Sequence, residues 1–365
     1  MGDAGRAAGG RWRRTAVAAV WVAAIAGAAA YIVSRLPSWD DAPPPPGWTV
    51  WRQPGSTRGL AVGEGGVYAG GTEGLFRLEA DGSATPIGIP GAGRPLVHAL
   101  LLLADGSLWV GHSEGLSVRI DGRWTTLTAA DGLPHPWVVS LTASRDGWVW
   151  AGTVKGAAGL PASGPWDETT MRRMTKAEGL LGDTVLPILE DRSGGLWFGT
   201  YAAPRGGLSR LENGRWQHWT TRDGLPHANV AALMQSRDGR VWAGCGLRYR
   251  GGVAVFREGG ERWELERTLS RGELAGAKVS SLFQDRQGRV WLGHEFEGLT
   301  VRDGHGTLRK ETPRQGLPGR EVMAFAQGHD GALWLGTDGG VARLSPEAVA
   351  TVLMRGEDRS EETGR

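Results

Sequence analysis

The sequence predicts an all-β fold, a seven-bladed β-propeller of four-stranded blades, and three observations lead to that prediction. Glycine supplies 60 and tryptophan 18 of the 365 residues, which is typical of many short strands joined by tight turns. A Gly-x-Val/Leu-Trp-x-Gly unit recurs, once with tyrosine in place of tryptophan, at spacings of 41 to 49 residues. This period is that of a propeller blade. The aromatic positions of the seven units are Tyr68, Trp109, Trp150, Trp197, Trp242, Trp291 and Trp334.

Each repeat supplies four short strands in a fixed order. An apolar run such as 138–142 predicts the innermost strand, and a turn with Asp and Gly leads from it into the tryptophan strand. A Gly-Leu/Val-x-x-Leu/Phe segment such as 207–211 predicts the third strand, and Asp-Gly-Leu-Pro, as at 223–226, leads into the next blade. A further tryptophan marks the outermost strand in four repeats: Trp124, Trp166, Trp216 and Trp263.

The two ends of the repeat array predict how the ring closes. The last repeat stops after its third strand near Leu344, whereas a Trp-x-x-Trp pattern of fourth-strand type appears early, at Trp48 and Trp51. We therefore expect a propeller over residues 47–345, closed by pairing of its N- and C-terminal segments, which removes two open sheet edges. Residues 346–365 are expected to be a charged C-terminal tail. An open solenoid is the alternative, but it leaves the early fourth strand without a purpose.

The first 46 residues predict a membrane-targeting segment and a spacer. Arginines precede an uncharged stretch at 15–33, and a helix of 19 residues spans about 28 Å, close to the hydrocarbon core of a bilayer. We expect a cytoplasmic basic segment at 1–14, a transmembrane signal anchor at 15–33 and a Pro-rich spacer at 34–46. The propeller would then lie in the periplasm, held at the inner (cytoplasmic) membrane by a single pass. Cleavage near Ala30, with secretion to the periplasm, is the alternative.

Charge and cysteine content exclude several classes of partner. The formal net charge of +2 arises from 41 basic and 39 acidic residues without long blocks, so no nucleic-acid partner is expected. The single cysteine, Cys245, excludes an intrachain disulfide, and no Cys/His spacing resembles a zinc site. Turn aspartates such as Asp191 offer one carboxylate each, so we interpret them as turn caps and not as calcium ligands. We expect no cofactor and no metal.

The repeat unit is Val-x-x-Leu-x-x-Asp-x-x-Gly-x-Leu-Trp-x-Gly-Thr, and residues 185–211 with 223–226 carry almost all of it. It resembles the two-component regulator propeller repeat, over about residues 47–345. The resemblance implies a periplasmic sensing part of the kind found in membrane histidine kinases, often in carbohydrate-sensing systems. Since no helical histidine-bearing or nucleotide-binding region follows the repeats, we expect the sensing part without the kinase part.

Candidate binding residues come from places where the repeats differ. Two adjacent repeats have long loops between their second and third strands, and these loops should emerge on the same face as the connections between blades. Aromatic and guanidinium groups there suit an acidic glycan, a peptide carboxylate or an acidic loop of a partner. Neutral drift of the loops is the alternative. The candidates are Tyr201, Arg205, Arg248, Tyr249, Arg250, His135, Trp137, His227 and Asn229.

His112, His294 and Cys245 replace the threonine of the Trp-x-Gly-Thr unit, so a small polar packing site is expected at each. The function expected is a non-enzymatic, extracytoplasmic ligand-binding and sensory module. Its ligand would be a small molecule, a glycan or a peptide, and its signalling partner a membrane sensor kinase or another envelope protein. The alternatives are a protein-interaction scaffold in the envelope and a streptogramin-lyase-like propeller enzyme. The enzyme would need a His/Glu/metal cluster on one face, and no spacing indicates one.

Overall fold

A computed structural model describes residues 43–354, except 64–65, 261, 304–305, 307 and 312–315. The predictions for 1–14 and 15–33, and most of the spacer prediction for 34–46, lie outside the described residues. Among those that are described, no helix is long and apolar enough to span a bilayer.

In the described ranges the strands form seven antiparallel four-stranded sheets, so the predicted seven-bladed propeller of four-stranded blades is confirmed. The first strand of the chain, β1 (Trp48–Trp51), belongs to the last blade. The strands of blades 1 to 3 are β2 (Thr57–Gly63), β3 (Gly66–Gly71), β4 (Gly74–Leu78), β5 (Ala84–Ile87), β6 (Val97–Leu102), β7 (Leu108–His112), β8 (Gly115–Ile120), β9 (Arg123–Leu127), β10 (Val138–Ala143), β11 (Trp148–Thr153), β12 (Gly156–Pro161) and β13 (Arg172–Met174).

The strands of blades 4 to 6 are β14 (Val185–Glu190), β15 (Leu196–Thr200), β16 (Leu208–Glu212), β17 (Arg215–Trp219), β18 (Val230–Gln235), β19 (Val241–Leu247), β20 (Arg250–Gly259), β21 (Arg262–Leu269), β22 (Val279–Gln284), β23 (Val290–His294), β24 (Leu299–Arg302) and β25 (Leu308–Glu311). Blade 7 consists of β26 (Val322–Gln327), β27 (Leu333–Thr337), β28 (Gly340–Leu344) and β1.

Strand β1 supplies the outermost strand of blade 7. It pairs antiparallel with β28, with Trp48 opposite Leu344 and Trp51 opposite Val341. The Trp51 side chain is 3% exposed and stacks on Trp334, with ring centroids 5.1 Å apart. Its Nε1 donates a hydrogen bond to the carbonyl oxygen of Ser83 in blade 1, at 3.1 Å. One residue of β1 therefore contacts both the last blade and the first.

The repeated tryptophans pack between blades, as the sequence predicts. Trp109 of blade 2 is fully buried, in one apolar cluster with Val138 and Val149 of blade 3. Trp197 of blade 4 clusters in the same way with residues of blade 5. Because each second-strand tryptophan fills the space up to the next sheet, one repeated position stabilises consecutive interblade contacts.

Two segments depart from the expected pattern. Trp166 is not in the fourth strand of blade 3, because β13 begins at Arg172 and hydrogen bonds to the Asp167 carboxylate fold the preceding segment into turns. Its ring instead lies edge-on to Trp109, with centroids 5.5 Å apart. The expected C-terminal tail begins with a helix, α1 (Pro346–Met354), which packs buried apolar side chains against blades 6 and 7. Those side chains are Ala348, Val349 and Val352.

Arginines in the turns between first and second strands link neighbouring blades. Arg145 Nη1 donates to the carbonyl oxygen of Arg192 at 2.9 Å, and Arg192 Nη1 donates to that of Arg237 at 2.8 Å. Arg237 Nη1 in turn donates to the carbonyl oxygen of Arg286 at 2.7 Å, and Arg286 Nη1 to that of Gly328 at 2.9 Å. These guanidinium groups therefore join blades 3 to 7 on the face that carries the turns between first and second strands.

The histidines that replace the repeat threonine are packing residues, as predicted. His112 and His294 are fully buried, and their Nε2 atoms lie 2.8 Å from the hydroxyls of Ser117 and Thr300. Burial lowers the pKa of both imidazoles to about 4, because the charged form loses its hydration.

This burial predicts a specific loss of stability in acid. The unfolded chain takes up a proton at His294 near pH 6.5, whereas the folded protein does so only near its lowered pKa, about 4. Stability therefore falls as the pH falls from about 6.5 towards 4. Between pH 7 and 5, His294→Thr should reduce that decline in the free energy of unfolding by about 2 kcal/mol, measured by urea unfolding. His329→Thr, at an exposed histidine, is the matched control, and an unchanged decline in His294→Thr would contradict the assignment.

Candidate functional site

One face of the propeller carries both the connections between blades and the loops between second and third strands. In blade 3, for example, Val138 at the start of β10 lies opposite Thr153, which leads directly into the turn before Gly156. We call this the channel-mouth face. It is the face on which the sequence places the candidate residues.

Every innermost strand contains a β-bulge at its channel-mouth end. The pairing register with the second strand shifts directly after the first residue in all seven blades. Bulges re-aim side chains. In each blade, the residue directly after the first residue of the innermost strand lines a central cavity of about 800 Å³. These bulge residues are Arg58, His98, Val139, Leu186, Ala231, Ser280 and Met323.

An apolar ring lies farther along the same seven strands. Each blade contributes the residue two places beyond its bulge residue, and all of these residues line the cavity. The ring therefore gives the cavity an apolar floor, whereas its mouth is partly polar. The members of this apolar ring are Leu60, Leu100, Leu141, Ile188, Leu233, Leu282 and Phe325.

Three polar side chains on blades 1 to 3 have no hydrogen-bond partner among the described residues. Arg58 is exposed and forms neither a hydrogen bond nor an ion pair there. His98 Nε2 and Ser140 Oγ are buried without a partner. Burial, with a smaller effect of the Arg58 charge, lowers the pKa of His98 to about 4, so the imidazole is neutral at pH 7. We call Arg58 and His98, on the neighbouring blades 1 and 2, the donor arc. The Ser140 hydroxyl instead lies with the carbonyl oxygen of Val185 beside Gly152, where blades 3 and 4 meet.

The polar side chains of blades 6 and 7 that line the cavity, by contrast, are paired. Lys278 Nζ lies 3.3 Å from Glu295 Oε1, and the Ser280 hydroxyl donates to Glu321 Oε1 at 3.0 Å. Burial raises the pKa of Glu321, although the charges of Lys278 and Arg58 oppose the shift. The unpartnered donors therefore lie on one side of the cavity wall.

The predicted site residues separate into groups. Trp137 and Tyr201 line the cavity, and Trp137 is 44% exposed with its ring centroid 5.8 Å from that of His98. His135 and His227 shape the connections instead, because their Nδ1 atoms accept hydrogen bonds from the backbone N–H groups of Trp137 and Asn229.

Asn229 is buried, and its Oδ1 accepts a hydrogen bond from the backbone N–H of Ala203 at 2.8 Å. This bond fastens the long loop of blade 4 to the following connection. The Asn229 side chain is therefore already hydrogen-bonded within the protein.

The other four predicted residues are exposed on the same face but do not line the cavity. Tyr249 is 66% exposed at the tip of the β19–β20 hairpin. Arg248 beside it has a left-handed φ of 54°, and its backbone N–H donates to Glu295 Oε2 at 3.1 Å, which ties blade 5 to blade 6. Arg205 and Arg250 complete this outer group. The structure thus brings only Trp137 and Tyr201 of the nine candidates to the cavity.

The repeat pattern of the sequence does not single out Arg58, His98, Lys278 or Glu321 as site residues. The available signal is the position after the first residue of each innermost strand, which is polar in only three repeats, at Arg58, His98 and Ser280. The residue type at this position varies between repeats, and the bulge that turns it towards the channel is not evident from strand alternation.

Large apolar side chains also collect on the channel-mouth face. Of the six that are exposed in the described part of the chain, only Ile120 lies elsewhere. The other five are Leu96, Trp137, Leu247, Tyr249 and Phe296. Among the described residues, no three His, Cys, Asp or Glu side chains are arranged to hold a metal ion.

The family model of the two component regulator propeller matches residues 179–202, 273–296 and 316–339. Each segment runs from a connection through the innermost and second strands of a blade. A search of curated proteins found no match.

Several solved structures share the fold. The extracellular domain of BT3049, a proposed hybrid two-component system of B. thetaiotaomicron, superposes with a TM-score of 0.71 at 16% identity; the match covers 85% of this chain and 42% of that one. This chain therefore spans less than half of that relative. Virginiamycin B lyase from Staphylococcus aureus gives 0.61 at 14% identity, covering 82% of this chain and 98% of the lyase.

PorZ, a surface component of the type-IX secretion system of Porphyromonas gingivalis, gives a TM-score of 0.54 at 13% identity, covering 78% of this chain and 46% of PorZ. Identities this low show the fold alone, whereas the repeat matches are specific to the sequence. The chain is thus a seven-bladed β-propeller, three segments of which match the two component regulator propeller repeat.

Proposed function

We propose that this protein is a non-enzymatic, extracytoplasmic sensory module. It binds its ligand at the channel-mouth face and acts with a separate signalling partner, such as a membrane sensor kinase. The observation that carries the proposal is the donor arc in the wall of a central cavity with Trp137 and Tyr201 in its lining. The repeats, and the extracellular two-component domain that shares the fold, support a sensory role.

The energetics of the cavity favour a ligand. A buried polar group without a partner costs about 1–3 kcal/mol, so a cavity wall that keeps His98 Nε2 in this state gains when a ligand pairs with it. A volume of about 800 Å³ lies within the usual range for small-molecule sites. We propose further that residues 15–33 anchor the protein in the inner membrane with the propeller in the periplasm; a cleaved, periplasmic form remains the alternative.

The proposal is tested by screening the purified full-length protein against amino acids, sugars, short peptides and organic acids in thermal-shift assays, with calorimetry of the hits. Trp137→Ala and Tyr201→Ala should each weaken binding by about tenfold and leave Tm unchanged, because partly exposed mouth residues add little to stability. Ile120→Ala, on an exposed apolar residue off this face, is the matched control. A screen without hits, or hits insensitive to both variants, would contradict the proposal.

A protein-interaction scaffold is the second candidate function, and exposed apolar residues of the channel-mouth face favour it. Leu247, Tyr249 and Phe296 lie beside Arg248 and Arg250, whose side chains form no ion pair with the described residues. Aromatic and arginine side chains are typical of interface hot spots. A photo-crosslinking residue at Tyr249 should capture a partner in cells, whereas one at Ile120 should not. Equal capture at both positions would count against a docking role.

A further inference from the structure

The cavity wall is chemically two-sided. The donor arc occupies blades 1 and 2, whereas Leu186, Pro187 and Ala231 occupy the bulges of blades 4 and 5. Beneath both lies the apolar ring. A ligand that satisfies this wall therefore needs a polar head on one side and an apolar body that reaches the floor.

The charges around the mouth select the head group. Arg58 is a cation with no partner in the described part of the chain, whereas Lys278 is already paired with Glu295. A ligand amine would be repelled by Arg58, and a sugar hydroxyl would leave that charge uncompensated. An anion is attracted to Arg58 and compensates its charge.

The donor arc matches one anion in particular. A carboxylate only accepts hydrogen bonds, and the planar guanidinium of Arg58 can bind it through two parallel N–H groups. A neutral imidazole at His98 can donate from Nε2. The Trp137 ring packs beside His98 and is 44% exposed, so it can contact a ligand bound at the donor arc.

We infer that the cavity binds a small organic carboxylate with an apolar body, its carboxylate on the donor arc and its body against the apolar ring. This inference rests on the proposed ligand-binding function and names its ligand class.

The inference is tested by calorimetry on the purified full-length protein at pH 7, with 4-phenylbutyrate and the neutral 4-phenylbutan-1-ol as probes. The carboxylate should bind at least about tenfold more tightly than the alcohol, because a charge-assisted hydrogen bond is worth roughly a tenfold change or more. Acetate, which lacks the apolar body, should bind far more weakly than 4-phenylbutyrate. In Arg58→Ala the preference for the carboxylate should vanish, while affinity for the alcohol stays the same.

Arg205→Ala is the matched control, since Arg205 is an exposed arginine of the same face that does not line the cavity. Its preference should equal that of the wild type. Equal binding of the two probes to the wild type, or a preference that survives Arg58→Ala, would overturn the inference. If neither probe binds but a compound of another class binds through Trp137 and Tyr201, only the ligand class is wrong. If no compound of any class binds, the proposed function fails as well.

Discussion

Replacing Asp191 by alanine should lower the free energy of unfolding by about 3–5 kcal/mol, because the buried Arg210 guanidinium loses one of its two carboxylate partners. The Asp191 carboxylate is fully buried in the turn between β14 and β15. Its Oδ2 accepts hydrogen bonds from Trp197 Nε1 at 2.7 Å and Arg210 Nε at 2.6 Å, and its Oδ1 accepts one from Gly195 N at 2.9 Å. Alanine would leave the guanidinium of Arg210, which is 5% exposed, with Glu212 as its remaining ion-pair partner.

Urea unfolding measures this loss, and Asp238→Ala is the matched control. Asp238 lies at the corresponding turn in blade 5, but its side chain is 51% exposed, so its loss should cost about 1 kcal/mol or less. Equal losses in the two variants would show that burial of the Asp191–Arg210 pair does not decide the effect.

Deleting residues 47–53 should destabilise the whole propeller, because blade 7 loses its outermost strand and β28 becomes an unpaired edge. The point variant Trp51→Ala isolates part of this effect. Loss of the stacking on Trp334 and of the contact with blade 1 should cost about 3–5 kcal/mol, as for other buried large-to-small changes.

Calorimetric melting of the full-length protein tests both changes. Trp137→Ala, at an exposed tryptophan on the channel-mouth face, is the control and should melt with the wild type. A deletion variant with an unchanged Tm would mean that β1 contributes nothing to holding the ring closed.

The fold is predictable from the sequence because its determinants repeat. A tryptophan at each interblade position and a glycine at each turn recur often enough to reveal the period, even where one copy has Tyr68 instead. Single features are not predictable in this way. Trp166 has the residue type of a fourth-strand marker, but a local turn around Asp167 moves it out of the strand. Helix α1 occurs once and lies outside the repeats, so the repeat pattern does not predict it.

The binding site is predicted less completely, for a related physical reason. Loop length and residue type indicate Trp137 and Tyr201, whose exposure follows from their place in connections and loops. Arg58 and His98 lie within strands, and the bulge alone turns them towards the channel. A bulge depends on how two paired strands accommodate one extra residue, which the spacing of a single strand does not reveal.

The pairing of β1 with β28 places the two ends of the propeller side by side. The carbonyl oxygen of Gly47 accepts a hydrogen bond from Ser345 N at 2.9 Å, on the rim away from the channel mouth. A propeller whose ends lie side by side can be inserted into a longer polypeptide. The segments that precede and follow the insertion then stay close together in space. Additional segments at either end would be joined at that single point of the rim, so lengthening the chain there need not obstruct the channel mouth.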